Sequence, residues 1–330
     1  MAETYRALVV DKAGEGTEVA LIERSADELP AGEVTIRVAY SSVNYKDGLA
    51  TLAKGGVVRE WPHVPGIDLA GTVAASRDPR FAEGDEVLVT GYDLGVAHDG
   101  GFAEFARVPA DWVVKRPDGL SLRECMAFGT AGFTAALALD ALDRHGVTPA
   151  AGPAIVTGAT GGVGSIAVSM LSGLGFEVAA STGKAGEHDY LRSLGASRIL
   201  SRDEVSAETR PLDAAMWAAA VDQVGGSTLP WLMARMTYRG AIASTGLTGG
   251  PAFKATVLPF LLRSVAILGI DSVFCPMAER LVLWQRMAGD LKPPHLTDMI
   301  AAETGLDGVK DVLASILKGG VRGRTVVRIA

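Results

Sequence analysis

The residues in this chain best suited to chemistry are a cluster of glycines. Gly158-Ala159-Thr160-Gly161-Gly162-Val163-Gly164 follows directly on a β-favouring run at residues 154–157 and precedes an apolar segment of helical period at 165–174. Glycines there permit a tight turn and let backbone N–H groups approach a pyrophosphate. The N-terminus of the following helix offers partial positive charge to the same anion. A glycine-rich string alone also describes an ordinary strand-to-helix turn. The strand before it, the helix after it and a second β run at 176–180 make it a dinucleotide fingerprint. The end of that second run bears on which dinucleotide binds. An NAD site places Asp or Glu there on the ribose hydroxyls, whereas this chain reads Ala180-Ser181-Thr182-Gly183-Lys184, two hydroxyls and a cation. Arg198 and Arg202 follow one helix later. Each cation taken singly is equally a solvated surface charge; together with the missing acid they favour the 2′-phosphate of NADPH.

Other chemistries lack their residues. His63, His98, His145, His188 and His295 are scattered, and Cys125 and Cys275 form no C-x-x-C pair, so no metal site is expected. Gly-x-Ser-x-Gly is absent, which argues against a serine hydrolase.

These residues need a frame, and the periodicity supplies one. From residue 153 onward strands and helices alternate, with β runs at 154–157, 176–180, 198–200, within 213–221, 241–244 and 265–270, and helices at 165–174, 187–194, 229–236 and 258–263. That is the pattern of a doubly wound parallel sheet in an α/β protein. The first third is different: short β runs at 6–10, 33–40, 71–75, 85–90 and 103–108 are separated by Gly, Pro and Asp turns, as expected of a partly closed barrel. A helical stretch at 122–142, interrupted by Gly129 and Gly132, leads from one to the other. After helices at 277–287 and 306–317, a closing strand at 324–329 has no parallel sheet left to join and is assigned to the first domain. The expected division is 1–125 with 269–330 for the β-rich domain and 126–268 for the dinucleotide domain.

Composition sets the outer limits. The 330 residues are 48% hydrophobic and 21% charged with a net charge of −7, which fits a folded protein of about two domains rather than a nucleic-acid binder. Two distant cysteines point to a reducing cytoplasm. The start, Met-Ala-Glu-Thr-Tyr-Arg, has neither a basic nor an apolar stretch, so no signal peptide is expected. Apolar runs are broken by Gly, Arg or Asp before membrane-spanning length, and no membrane association is expected.

Several further segments carry a resemblance that runs along essentially the whole chain. They are Asn44-Tyr45-Lys46-Asp47, Pro65-Gly66-Ile67-Asp68-Leu69-Ala70-Gly71, Gly84-Asp85-Glu86-Val87, Gly129-Thr130-Ala131-Gly132-Phe133-Thr134-Ala135, the 157–164 glycine loop, Leu268-Gly269-Ile270-Asp271-Ser272-Val273 and Val321-Arg322-Gly323-Arg324-Thr325. With them the chain resembles the medium-chain dehydrogenase/reductase superfamily, in its zinc-free quinone oxidoreductase-like branch, and there the acrylyl-CoA reductases. Zinc-binding relatives carry Gly-His-Glu where this chain has Gly66-Ile67-Asp68, so Ile67 replaces a metal ligand.

The resemblance implies a GroES-like β-barrel domain, a Rossmann domain inserted into it, an active site in the cleft between them, and a homodimer paired through the last Rossmann strand at 265–270. It implies Tyr45 beside the nicotinamide, Thr160, Gly161, Gly162 and Val163 on the pyrophosphate, and Thr182, Gly183, Lys184 and Arg202 at the adenosine phosphate. Leu247 and Ser272 fall along the nicotinamide half. The implied reaction takes hydride from NADPH to the β-carbon of acryloyl-CoA and protonates the enolate to propanoyl-CoA. Asn44, Tyr45 and Asp47, in a loop of the barrel domain, are the candidates for the reacting region. Tyr45 offers either a proton donor or a ring lining the cofactor, Asn44 and Asp47 shape the loop, and Tyr92 is the reserve donor. Arg324 and Arg322, then Arg59 and Lys54, are the cations available to the CoA phosphates, each also explicable as surface charge. The rival readings are an NADPH-dependent quinone or enone reductase without CoA specificity, and a binding protein that keeps the fold without catalysis.

Overall fold

The computed structural model describes residues 4–330, so the first three residues of the N-terminal run read for a signal peptide lie outside it. The chain divides into two compact units. One comprises the chain up to Thr130 with Val273–Gly289 and Leu296–Ala330; the other comprises Ala131–Ser272 and Asp290–His295.

In the first unit the short β runs assemble into a seven-stranded sheet. Its path is Ile300–Thr304, Arg324–Arg328, Val34–Ser42, Asp68–Ser76, Glu86–Thr90 and Val114–Lys115, and Phe105–Val108 pairs with Val34–Ser42 off that path. The closing strand thus joins this sheet, antiparallel to Val34–Ser42 through Val326–Ser42. Residues of alternating direction along these strands, among them Val34, Ile36, Val38, Leu69, Val87 and Val89, make a core with the helix Leu306–Leu317 packed on it through Leu306, Val309 and Leu313. A separate hairpin, Thr4–Ala13 with Gly16–Ser25, attaches by bridges at Ala7–Ala103 and Val10–His63.

His63 sits buried at that attachment, and neither ring nitrogen has a hydrogen-bond partner. Burial lowers its pKa to about 4, so the folded protein keeps the ring neutral where the unfolded chain takes up a proton. The stability tied to the neutral ring is complete above the ordinary pKa of 6.5 and is lost as pH falls toward 4. His63→Leu is therefore expected to gain about 2 kcal/mol over the wild type at pH 4.5 relative to pH 7.5. Urea midpoints at the two pH values measure it, and an offset equal at both would contradict it.

The second unit holds a six-stranded sheet, ordered Ala196–Ser201, Val178–Thr182, Ala154–Val156, Trp217–Asp222, Met236–Ser244 and Ala266–Gly269, with every pair parallel. Numbered along the chain this is 3-2-1-4-5-6, the order of a doubly wound nucleotide-binding sheet. Its direction of winding reverses between Ala154–Val156 and Trp217–Asp222, and ligands bind at the carboxyl ends there.

The helix Leu122–Arg144, within whose sequence the division at Thr130 falls, corrects one expectation. Of its 23 residues, an 18-residue window with a mean hydropathy of 1.5 is long and apolar enough to cross a membrane, although Gly129 and Asp140 interrupt the run. With 78% of that window buried inside the protein, its apolar surface is core. The helix breaks at Gly129, whose φ of 52° and ψ of −157° are not helical.

Candidate functional site

In the second unit the glycine loop leaves the sheet at its point of reversal. The Thr157 hydroxyl donates to Asp222, whose other carboxylate oxygen accepts Gly225 N–H at 3.0 Å, so the first and fourth strand ends are fastened together. Burial raises the Asp222 carboxyl above the usual range, against the Thr157 hydrogen bond. Gly158 turns with φ +56°, and a Cβ on Gly164 would stand 2.5 Å from the Gly158 carbonyl oxygen, so the helix Gly162–Gly173 starts in contact with the loop. No side chain caps that helix at Gly161. Its first-turn N–H groups and its dipole suit an anion such as a pyrophosphate.

The structure brings Thr160, Thr182, Gly183, Lys184 and Arg202 together. The Thr160 and Thr182 hydroxyls lie 3.4 Å apart, and the Thr182 hydroxyl accepts Lys184 N–H at 3.0 Å, which shapes the loop. Arg202 opens the short helix Arg202–Ser206 behind the Ser201 cap, and its guanidinium covers Gly183 so closely that a Cβ there would be 2.9 Å from Nε. Arg198 lies over the Trp217 ring at 5.9 Å. Leu247 is exposed in the loop after Met236–Ser244, which is fixed by Thr245 N–H to Asp222 and Gly249 N–H to Val224, while Ser272 is half-buried at the end of the unit. These residues fit a phosphorylated dinucleotide: a glycine cradle for the diphosphate, and cations with no carboxylate at the second strand end.

In the first unit, the end of Val34–Ser42, the start of Asp68–Ser76 and the end of Glu86–Thr90 lie side by side, with Asp68 opposite Thr90. The Asn44 region is not the loop expected. Tyr45–Ala50 is a helix whose N-cap is Asn44, and the Asp47 carboxylate accepts Asn44 N–H at 2.7 Å and Ile67 N–H at 2.9 Å. Asp47 is fully buried, and burial first, then the nearby Asp68 carboxylate, pushes its pKa up to about 7. Because the fold raises this pKa from 3.8, the stability it lends is complete at low pH and is lost as pH rises through about 7, opposite in sign to His63.

Two of the reacting-region candidates, Asn44 and Asp47, were expected to shape their segment rather than to transfer protons, and their side chains are engaged within the protein. Asn44 is buried with its amide between Asp68, Ser42 and Arg324, and Asp47 is sealed beneath the helix, so neither presents a polar atom outward. Tyr45 alone of the three is exposed, at 45%. Tyr92 is half-buried with φ +53°; its ring stacks on Trp112 at 5.4 Å, and the Arg280 guanidinium lies 4.6 Å from its centre.

Arg324 is a correction. It was expected at a surface to meet phosphates, but it is 2% exposed. Its Nε donates to Ala127 O at 3.0 Å, Nη1 to Val43 O at 3.1 Å and Asn44 Oδ1 at 3.3 Å, and Nη2 to Ser42 Oγ at 2.7 Å. A guanidinium engaged in every direction has nothing to give a ligand. Arg322, Arg59 and Lys54 are exposed. Sequence reasoning passed over Asp68, Ser42 and Thr130, which complete the same buried cluster. Among the described residues no group of three or more His, Cys, Asp and Glu comes together as a metal site.

Comparison with known proteins adds independent support. Residues 30–118 match the family model described as the alcohol dehydrogenase GroES-like domain, and residues 162–284 match the one described as zinc-binding dehydrogenase. The chain is 52% identical to the acrylyl-CoA reductase AcuI of Ruegeria pomeroyi, over 98% of this chain and 99% of that protein. It is 49% identical to YhfP of Bacillus subtilis over the full length of both; YhfP carries a quinone oxidoreductase name. The YhfP structure with NAD bound covers 99% of this chain and all of that one with a TM-score of 0.97. The YhdH oxidoreductase of Salmonella enterica, solved in complex with NADP, is 48% identical over 98% of this chain and 100% of that one, with a TM-score of 0.95.

Proposed function

Because the chain belongs to the medium-chain dehydrogenase/reductase superfamily, and is an oxidoreductase with a GroES-like and a dinucleotide-binding unit, we propose that it uses NADPH to reduce the α,β double bond of acryloyl-CoA to propanoyl-CoA. The observation that carries the cofactor half is the Arg202 guanidinium lying on Gly183 beside Lys184, at a strand end that lacks an acid. The substrate half is supported by near-full-length similarity to AcuI.

NADPH, once bound, would supply a hydride to the β-carbon of the enoyl thioester and leave as NADP+; the charge this places on the thioester oxygen would be discharged by a proton delivered to the α-carbon, from Tyr45 or from water. The chain's own residues bind and orient. The first-turn N–H groups of Gly162–Gly173 hold the pyrophosphate, and Thr182, Lys184 and Arg202 hold the 2′-phosphate. Leu247 and Ser272 flank the nicotinamide half. Tyr45, exposed at the first turn of its helix, stands at the reacting region as donor or as lining ring. The exposed Arg322 and Arg59 are the remaining cations for the CoA phosphates. Reduction with NADPH deuterated at the transferred position should give propanoyl-CoA labelled at the β-carbon; label at the α-carbon, or no product, would contradict the reaction. The quinone oxidoreductase name of YhfP keeps a second reading, an NADPH-dependent quinone or enone reductase without CoA specificity.

The reaction proposed is metal-independent, since buried Ile67 stands where zinc-binding relatives have a histidine and its N–H is spent on Asp47. Full activity is expected after exhaustive chelation, whereas stoichiometric zinc lost together with activity would refute this. A homodimer is also proposed. The strand Ala266–Gly269 pairs on one side only, and the neighbouring Leu261 and Leu262 are 72% and 60% exposed, an apolar edge that a second copy would cover. Light scattering at micromolar concentration should give twice the chain mass, and a monomer would contradict it. A cytoplasmic location is proposed, which fits a chain whose two cysteines stand far apart in the sequence.

A further inference from the structure

A densely hydrogen-bonded buried cluster in the first unit belongs to no step of the reaction above. The Asp68 carboxylate, fully buried, accepts Ser42 Oγ at 2.6 Å, Asn44 Nδ2 at 2.7 Å, Thr130 Oγ1 at 2.6 Å and Thr130 N–H at 2.9 and 3.0 Å. Arg324 lies 3.8 Å from it, and the Ser42 hydroxyl links the two, accepting from Nη2 and donating to Asp68. A buried ion pair can generally be replaced by apolar packing without loss of stability, so cohesion does not account for its form. Orientation does. Asn44 Oδ1 faces Arg324 and Asn44 Nδ2 faces Asp68, so the two charges read opposite ends of one amide and forbid its flip. Asn44 in turn caps the helix whose first residue is Tyr45. The same carboxylate holds the backbone at Thr130, where the long helix resumes after its break at Gly129. The lattice therefore fixes the Tyr45 helix and the break in the long helix against one reference point.

We propose that Arg324 and Asp68 are positioning residues, which set the placement of Tyr45 for hydride transfer through the Asn44 amide. This rests on Tyr45 lying at the reacting region. It does not depend on the substrate, since variants are compared on whichever acceptor the wild type turns over, acryloyl-CoA or a quinone. Small displacements of a reacting geometry are expensive, so Arg324→Gln is expected to lower kcat about a hundredfold. KM for the acceptor and the Kd for NADPH should stay within about threefold, and Arg324→Lys should recover part of kcat. Thr130→Val, which removes one donor to Asp68 and creates no buried charge, is expected to lower kcat about tenfold and serves if Arg324→Gln does not fold. A kcat within twofold of wild type in the folded Arg324→Gln or in Thr130→Val would overturn the proposal. So would a loss carried by the KM of the CoA substrate, the signature of a phosphate ligand.

Discussion

Replacing Lys184 and Arg202 together by alanine is expected to raise the KM for NADPH about a hundredfold and to leave the NADH reaction nearly untouched. A 2′-phosphate needs cations and hydroxyl donors, while an NAD site supplies a carboxylate that would repel it. Each charge-assisted hydrogen bond contributes roughly 1.5–3 kcal/mol. Arg202 is exposed and Lys184 half-buried, so screening favours the lower end of that range for both. Two such bonds give about 3 kcal/mol, or two orders of magnitude. The geometry also contains the rival outcome. Arg202 packs on Gly183, so it could hold the loop rather than the phosphate. Equal losses with NADPH and NADH would favour the loop. Because the similar YhfP was solved with NAD bound, the wild-type preference is a measurement in its own right. Comparable kcat/KM values with both cofactors would refute a phosphate site.

Gly129→Ala is expected to destabilise the first unit by about 4 kcal/mol and to abolish activity. The backbone there, at φ 52° and ψ −157°, is open in practice only to glycine. A Cβ would also stand 2.4 Å from Asp68 Oδ2, 2.6 Å from Ser42 Oγ and 2.7 Å from Arg324 Nη2, the middle of the buried lattice. Both costs act at once, since the methyl group cannot avoid the polar atoms without straightening the break. Urea unfolding followed by tryptophan fluorescence should show the loss, and a midpoint within error of wild type would mean the break is tolerant.

Legibility followed the range of the interactions. The parallel sheet was evident because its strands are buried on both faces and its helices are periodic, and the glycine loop is a local feature of strand, turn and helix. The second arm of the N-terminal hairpin, Gly16–Ser25, escaped because no residue in it is fully buried, which leaves little alternation to read. The strand Ile300–Thr304 is short, mostly exposed and defined by a parallel partner more than twenty residues away. Lys184 and Arg202 could be grouped from the sequence because they belong to one β-α-β unit, and the structure sets Arg202 against Gly183, the neighbour of Lys184. Arg324 was misread as a surface cation because its acceptors, Val43, Asn44 and Ser42, lie at the other end of the sequence. A hint was present: Asp68 stands between Ile67 and Leu69, and Arg324 opens the run Thr325-Val326-Val327. An acid and a base, each placed in an apolar strand, require buried partners. The Asn44-x-x-Asp47 spacing likewise matches a helix cap, with Asp in the position that Glu or Gln usually holds.

The most direct test of the proposed function is steady-state kinetics of the wild-type protein with NADPH, comparing acryloyl-CoA with a simple quinone under one set of conditions. A CoA-thioester reductase should show a kcat/KM for acryloyl-CoA about a hundredfold or more above that for the quinone. Equal or greater efficiency with the quinone, or no oxidation of NADPH by acryloyl-CoA, would contradict it.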